Sequence, residues 1–257
     1  MQTISDQFKG EKSMEIAGKV ILITGSAHRV GRTIALTLAE KKARIVIHYN
    51  TRENEAKETL QTILNNGGEA IIVHGNVSKK QDWIKWKSYI LKKWGTIDVL
   101  VNNAAIFYKT PVFDISEDDW DKFLDINLKG VFWGCQIMGQ EMFRKGSGKI
   151  INITDVSADT IWPSYIPYCV SKAGVVALTK GLAKALAPHV MVNAVAPGTV
   201  LLAEEHDEEE ENALIKRTPL KCIGSAEDIA SAVSFLIEGS DYITGTTIKV
   251  DGGRSLT

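Results

Sequence analysis

Seven short apolar runs punctuate the chain, at 19–25, 43–49, 69–75, 97–103, 148–154, 189–197 and 246–252. They are nearly continuous in Val and Ile and lack the apolar–polar alternation of a half-exposed strand, so they predict strands covered on both faces. Longer segments with helical periodicity lie between them, at 32–42, 53–65, 82–94 and 117–144. Strand and helix therefore alternate with connections of βαβ length, which predicts a parallel sheet flanked by helices.

The expected fold class is α/β, a single-domain, Rossmann-type, doubly wound seven-stranded parallel sheet over residues 18–257. A chain of 257 residues with 44% hydrophobic content can bury such a core, and no linker or repeat divides it. Residues 1–17 are polar and patternless and predict a flexible tail. The acidic run Glu204, Glu205, His206, Asp207, Glu208, Glu209, Glu210, Glu211 would repel itself in a dry setting. It predicts a solvated flap, and a substrate lid at about 199–216 is the sharper expectation, because such loops border the ligand crevice. No metal site is expected.

Charge and cysteine usage narrow the partners. A formal net charge of -1 offers no basic field for a nucleic acid. No stretch has the length or apolarity of a signal peptide or a membrane span, so a cytoplasmic protein acting on a small molecule is expected. Cys135, Cys169 and Cys222 are odd in number and lack metal-ligand spacing, and are expected to be reduced packing residues.

The first strand leads into Thr24, Gly25, Ser26, Ala27, His28, Arg29, Val30, Gly31 and then a helix. Gly25 permits a tight turn and Gly31 a close backbone approach, the requirements of a pyrophosphate cradle. The second strand ends in His48, Tyr49, Asn50, Thr51, Arg52, with no acid to hold a ribose 2'-hydroxyl. Donors and positive charge at His48, Thr51, Arg52 and Arg29 favour NADP(H) over NAD(H). A solvated Arg52 at a helix start is the alternative.

Tyr168 and Lys172 are four residues apart, so on a helix they share a face. Bringing a phenol of pKa about 10 to neutrality takes about 4 kcal/mol. A cation at about 4 Å in an effective dielectric near 20 supplies roughly that much.

Five motifs occur in order: TGxxxxxG after strand one, Asn102-Asn103-Ala104-Ala105, Asn127, YxxxK, and Pro197-Gly198. Over about residues 19–257 the chain resembles the short-chain dehydrogenase/reductase family. The resemblance implies that Tyr168 is the proton donor and that Lys172 binds the nicotinamide ribose and lowers the tyrosine pKa. It implies that Asn127 holds a water in a proton relay. Asn103, Ala104, Ala105, Val30 and Thr154 would line the cofactor, Asn76 and Val77 the adenine, and Pro197 and Gly198 the nicotinamide. Asn76 replaces the usual aspartate. A homotetramer is also implied, with small residues Ala173, Gly174, Ala177 and Gly181 suited to helix pairing.

Two departures refine the expectation. Arg29 replaces the middle glycine of TGxxxGxG, and Asp155 stands where the catalytic serine lies, thirteen residues before the tyrosine. Both changes, with the Asn102 to Tyr108 stretch, resemble the pteridine reductase and dihydromonapterin reductase branch. There the residue matching Phe107 stacks the pterin and the one matching Arg29 reaches pterin and phosphate. An ionised Asp155 opposes a developing oxyanion, whereas it accepts from the amino and ring N–H donors of a pterin. The expected reaction is therefore NADPH-dependent reduction of a dihydropterin C=N bond, the substrate meeting Arg29, Phe107, Asp155 and Tyr168. Three alternatives stay open: Asp155 as a structural cap with Ser157 in the serine's role, a ketone reductase acting on 3-oxoacyl or other carbonyls, and a silent NADP-binding sensor.

Overall fold

The structure, a computed structural model, describes residues 13–200 and 208–257. In chain order its principal elements are β1 (Val20–Ile23), α1 (Arg29–Glu40), β2 (Arg44–Tyr49), α2 (Glu53–Asn65), β3 (Glu69–His74), α3 (Lys80–Trp94), β4 (Val99–Asn102), α4 (Glu117–Leu124), α5 (Gly130–Lys145), β5 (Gly148–Ile153), α6 (Ile166–Leu186), β6 (Val190–Pro197), α7 (Glu208–Arg217), α8 (Ala226–Glu238) and β7 (Thr247–Val250).

Among the described residues seven strands form one parallel sheet in the order β3-β2-β1-β4-β5-β6-β7. The sheet is doubly wound, and its strand order reverses between β1 and β4, which opens a crevice at their carboxyl ends. Every residue of β1, β4 and β5 is buried, while the edge strands β3 and β7 are partly exposed. That burial explains the unbroken Val and Ile runs. Alternate residues of β1 serve two cores. Ile21 and Ile23 join Ile34 and Leu38 of α1, Ile63 of α2 and Val233 of α8. Val20 and Leu22 join Trp83 of α3, Met138 of α5 and Val175 of α6 on the other face.

Helix ends follow local chemistry. Ser116 caps α4 by accepting from the Asp119 amide at 3.0 Å, and Ser225 and Asp228 form a capping box on α8. The expected helix at 117–144 is present but broken by a π turn, Asp125–Lys129, that carries Asn127. Such turns recur at functional sites.

Two expectations need correction. The tail does not extend to 17: Ile16 is buried in the first core, and Lys19 donates its amide to the Ile16 carbonyl at 3.1 Å. Residues 1–12 lie outside the described residues. Cys222 is exposed, so only Cys135 and Cys169 are packing residues. The proposed lid is partly helical, since α7 begins at Glu208; residues 201–207, and with them the start of the acidic run, lie outside the described residues.

Candidate active site

The crevice is built first by close backbone approach. Thr24 Oγ1 accepts from the amides of Asn103 (2.9 Å) and Ala104 (3.0 Å), and Asn103 Nδ2 donates to the carbonyls of Thr24 and Gly25. These bonds lock the turn after β1 to the end of β4. A Cβ on Gly31 would stand 2.2 Å from the Gly25 carbonyl oxygen, so this position admits only glycine. Gly25 itself has φ +64°. Arg29, at the position of the missing glycine, keeps a glycine-like φ of 51° while adding a guanidinium. A narrow glycine turn at the sheet's switch point fits a dinucleotide pyrophosphate.

His48 is placed differently from its expected role. It is buried, and the Gly25 amide donates to its Nδ1 at 3.0 Å. Because that amide can only donate, Nδ1 is bare and Nε2–H donates to the Gly75 carbonyl at 3.0 Å. Burial lowers its pKa to about 4. The ring is thus a neutral brace between two loops and offers no charge to a phosphate. Its side chain shares the Val46 face of β2 and lies 4.5 Å from the Trp86 ring, so strand alternation could have shown this. Thr51 and Arg52 are exposed, with Arg52 Nη1 paired to Glu55 Oε1 at 2.7 Å. Tyr49 packs on His74 (4.9 Å), whose Nε2 bonds to the carbonyl of Asn50. Sequence reasoning missed His28, which lies close enough to Arg29, Arg52 and Glu55 to feel their charges.

The other residues expected to line a cofactor follow the carboxyl ends of β3, β4, β5 and β6 or open α1. Asn76 Oδ1 accepts from the Ser78 amide, and the Val77 carbonyl accepts from Trp83 Nε1 at 2.7 Å. Thr154 donates through Oγ1 to the Val195 carbonyl at 3.1 Å, and the Gly198 amide bonds to the Val250 carbonyl. Ala105 is exposed, Val30 partly buried and Pro197 buried.

At the chemical centre, Tyr168 Oη donates to Asp155 Oδ2 at 2.9 Å. Asp155 Oδ1 accepts from the Ser157 amide at 2.7 Å, so the carboxylate is both a cap and a partner of the phenol. The Ser157 hydroxyl is buried without a hydrogen-bond partner and does not replace it. Burial raises the Asp155 pKa, and burial followed by the Asp155 charge raises that of Tyr168 well above 10. The expected lowering of the phenol pKa is therefore reversed in this geometry. Lys172 Nζ lies 5.6 Å from the Tyr168 ring centre and donates to the Ile153 carbonyl at 2.9 Å. Burial lowers its pKa to about 8, with the Asp155 charge opposing. Asn127 accepts from the Ile106 amide and donates to the Ile106 carbonyl, which fixes the π turn beside the site.

An aromatic wall completes the site. Phe107, 50% exposed, stacks on Tyr165 at 4.6 Å and meets Tyr168 edge-on at 4.8 Å. Trp162 adds a third ring contact, also edge-on. Trp162 and Tyr165 were missed, although two aromatics just ahead of YxxxK are visible in the sequence. Below lies a buried polar chain, Asn102 Nδ2 to Asn152 Oδ1 (2.9 Å) and Asn152 Nδ2 to Thr179 Oγ1 (2.9 Å), which holds β4, β5 and α6 in place.

The family model described as enoyl-(acyl carrier protein) reductase matches residues 25–255. The chain belongs to the short-chain dehydrogenase/reductase family. It is 36% identical over 239 residues to the 3-oxoacyl-(acyl-carrier-protein) reductase FabG of Staphylococcus epidermidis, covering 91% of this chain and 98% of that protein. It is 33% identical over 249 residues to glucose 1-dehydrogenase 2 of Bacillus subtilis, covering 94% and 96%. It is 36% identical over 249 residues to 3beta-hydroxysteroid dehydrogenase 1 of Eggerthella lenta, covering 94% and 95%. A crystal structure from Agrobacterium tumefaciens, proposed to be a gluconate dehydrogenase, superposes with a TM-score of 0.91 at 30% identity, covering 96% of this chain and all of that one. As a short-chain dehydrogenase/reductase the chain is an oxidoreductase, and the family's cofactors are NAD(H) and NADP(H). No helix among its described residues is long and apolar enough to cross a membrane.

Proposed function

We propose that this oxidoreductase uses NADPH to reduce a carbonyl group of a small molecule, with Tyr168 supplying the proton. The reading rests on the partly buried Tyr168–Asp155 hydrogen bond of 2.9 Å. When bound, the nicotinamide supplies the hydride. Tyr168 stands ready to protonate the oxygen that develops charge, and the raised Tyr168 and Asp155 pKa values keep a proton on the pair. An ionised Asp155 opposes a developing oxyanion, and the burial that raises its pKa makes the charged form less favourable there. That weakens the objection to a carbonyl. The names of the three relatives, a 3-oxoacyl reductase and two dehydrogenases, favour it further.

A second reading, reduction of a dihydropterin C=N bond, draws on two features that the first does not need. Asp155 can accept from ring and amino N–H groups, and the half-exposed Phe107 suits a flat ring system. For both readings NADP(H) is the proposed cofactor, because the end of β2 lacks an acid and carries Arg52, whose charge, like that of Arg29, acts on His28 in the glycine turn. A cytoplasmic homotetramer is proposed with it. Ala177 and Gly181 are exposed on α6, and a Cβ at Gly181 would meet nothing within 4 Å, which leaves room for another helix.

The deciding experiment follows NADPH consumption with 3-oxoacyl thioesters, cyclic ketones and dihydropterins, with Tyr168→Phe as control. Ketone turnover with inert pterins supports the first reading. Pterin turnover with inert ketones replaces it by the second. NADPH binding without consumption of any candidate would make the chain a sensor and end both.

A further inference from the structure

Beside the Tyr168–Asp155 pair lies a cavity of about 300 Å³, walled by Asp155, Asp159, Val176, Lys180, Thr246 and Lys249 among others. It sits between α6 and the last two strands, β6 and β7. One water needs about 15 Å³ of such space, so the cavity has room for a chain of them. Asp155 is common to the cavity and the chemical centre: it forms part of this wall and accepts from Tyr168 Oη at 2.9 Å. Its Oδ1 caps the short turn Val156–Ala158 by accepting from the Ser157 amide at 2.7 Å, and Asp159 ends that turn. One turn thus sets both acids in the same wall. Asp159 is exposed, and its Oδ2 pairs with Lys249 Nζ at 2.9 Å, so solvent reaches the outer acid while the inner one is partly buried. The two groups that the family resemblance assigns to a proton relay are engaged with the backbone. Asn127 bonds to both the amide and the carbonyl of Ile106, and Lys172 Nζ donates to the Ile153 carbonyl.

We infer that the proton consumed in each reduction is resupplied from solvent through this cavity, by way of Asp159 and Asp155, to Tyr168. The inference rests on the reading of Tyr168 as the proton donor, and it holds for a carbonyl or a C=N substrate alike. In the carbonyl case the carbon gains the hydride with its electron pair as NADPH becomes NADP+, and the oxygen takes the Tyr168 proton. The tyrosinate left behind takes the proton of the Asp155 carboxyl across their hydrogen bond. The Asp155 carboxylate is then reprotonated along the water chain from Asp159, whose own proton comes from solvent. Each alcohol formed therefore consumes one hydride and one solvent proton. Asp159 acts through Asp155 and is a positioning residue for the relay.

Steady-state turnover in H2O and in D2O, with whichever of the ketones and dihydropterins is reduced, tests this. Asp159→Ala should lower kcat about tenfold with KM unchanged, a smaller loss than that of a direct proton donor. Its solvent isotope effect should rise, because resupply becomes the slow step. Added formate, a carboxylate small enough for the cavity, should restore kcat in this variant in proportion to its concentration. Val176→Phe fills the cavity without removing an ionisable group, and should show the same loss and isotope effect but no rescue. Unchanged NADP+ affinity shows that the variants are folded. Wild-type kcat and isotope effect in both variants overturn the inference and leave Tyr168 intact as the donor. A lowered kcat in Asp159→Ala with neither a raised isotope effect nor rescue assigns Asp159 a structural role and overturns it equally. No consumption of NADPH with any of the substrates overturns both this route and the reading on which it rests.

Discussion

The phenol of Tyr168 shares its proton with a carboxylate, that of Asp155, and not with the lysine one helical turn away. Both acids have raised pKa values, and the Asp155 charge contributes to the rise at Tyr168. Replacing Asp155 with Asn removes that charge and should move tyrosinate formation to lower pH. Turnover should drop on the order of a hundredfold, the effect of losing one proton-holding group. Stability changes in the opposite sense. A folded pKa raised above the unfolded value means that Asp155 supports folding at pH values below about 4 and loses that support as pH rises through its folded pKa. Asp155→Asn should therefore lose less stability than the wild type as pH rises from 4 to 7. Ultraviolet titration of tyrosinate, with urea unfolding at both pH values, checks this; an unmoved tyrosine titration would contradict it.

Lys172 shows how much stability the site gives up for function. Its pKa, lowered from 10.5 to about 8 by burial, corresponds to about 3 kcal/mol of penalty on the charged form. The depressed value means that the stability contribution is complete above pH 10.5 and lost as pH falls through about 8. Lys172→Met removes the penalty and also the bond to the Ile153 carbonyl, worth about 1 kcal/mol. The variant should be inactive yet more stable at pH 7 by about 2 kcal/mol, with the gap closing between pH 8 and pH 10.5. Urea unfolding at both ends of this window is the measurement, and a variant weaker than the wild type at pH 7 would refute the account.

His48 predicts a loss that does not distinguish the cofactors. It holds Gly25 and Gly75 in place, so His48→Leu should weaken NADP+ and NAD+ binding by the same factor, whereas Arg52→Ala should weaken NADP+ alone. The depressed pKa of about 4 adds a pH signature. Its stabilisation is present above 6.5 and lost as pH falls through 4, a difference of about 3 kcal/mol for this buried ring. Acid unfolding of His48→Leu should lack that component. A selective loss of NADP+ affinity would show instead that His48 meets the phosphate.

The scaffold was largely legible in the sequence because a parallel sheet covered on both faces imposes unbroken Val and Ile runs, and α2 begins and ends at the expected residues 53 and 65. Spacing also placed Tyr168 and Lys172 on one helix face. It did not reveal the sign of the phenol shift, because that depends on burial and on a carboxylate thirteen residues away. His48 changed its role for a related reason. Position in the sequence put it and His28 near the expected cofactor, but only the packing of Trp86 over β2 and of the Ala27 loop on α2 decides which ring feels the guanidinium charges.

Lys149 supplies a stability test far from the chemistry. It lies in β5, 2% exposed, where its Nζ donates to the Ile237 carbonyl at the end of α8 and pairs with Asp241 at 2.6 Å. A lysine in a central strand is a local conflict that the sheet pattern alone would not choose. The carbonyl and the carboxylate together satisfy it and tie the sheet to the helix end. Removing one partner leaves a buried charge, so Asp241→Ala should destabilise by about 2 kcal/mol, discounted from the 3–5 kcal/mol of fully buried pairs because Asp241 is partly exposed. Lys149→Met removes the charge with its need for a partner and should cost under about 1 kcal/mol. The double variant should then be more stable than Asp241→Ala alone. Denaturant unfolding of the three variants measures the cycle, and additive losses would show that the pair does not act as a unit.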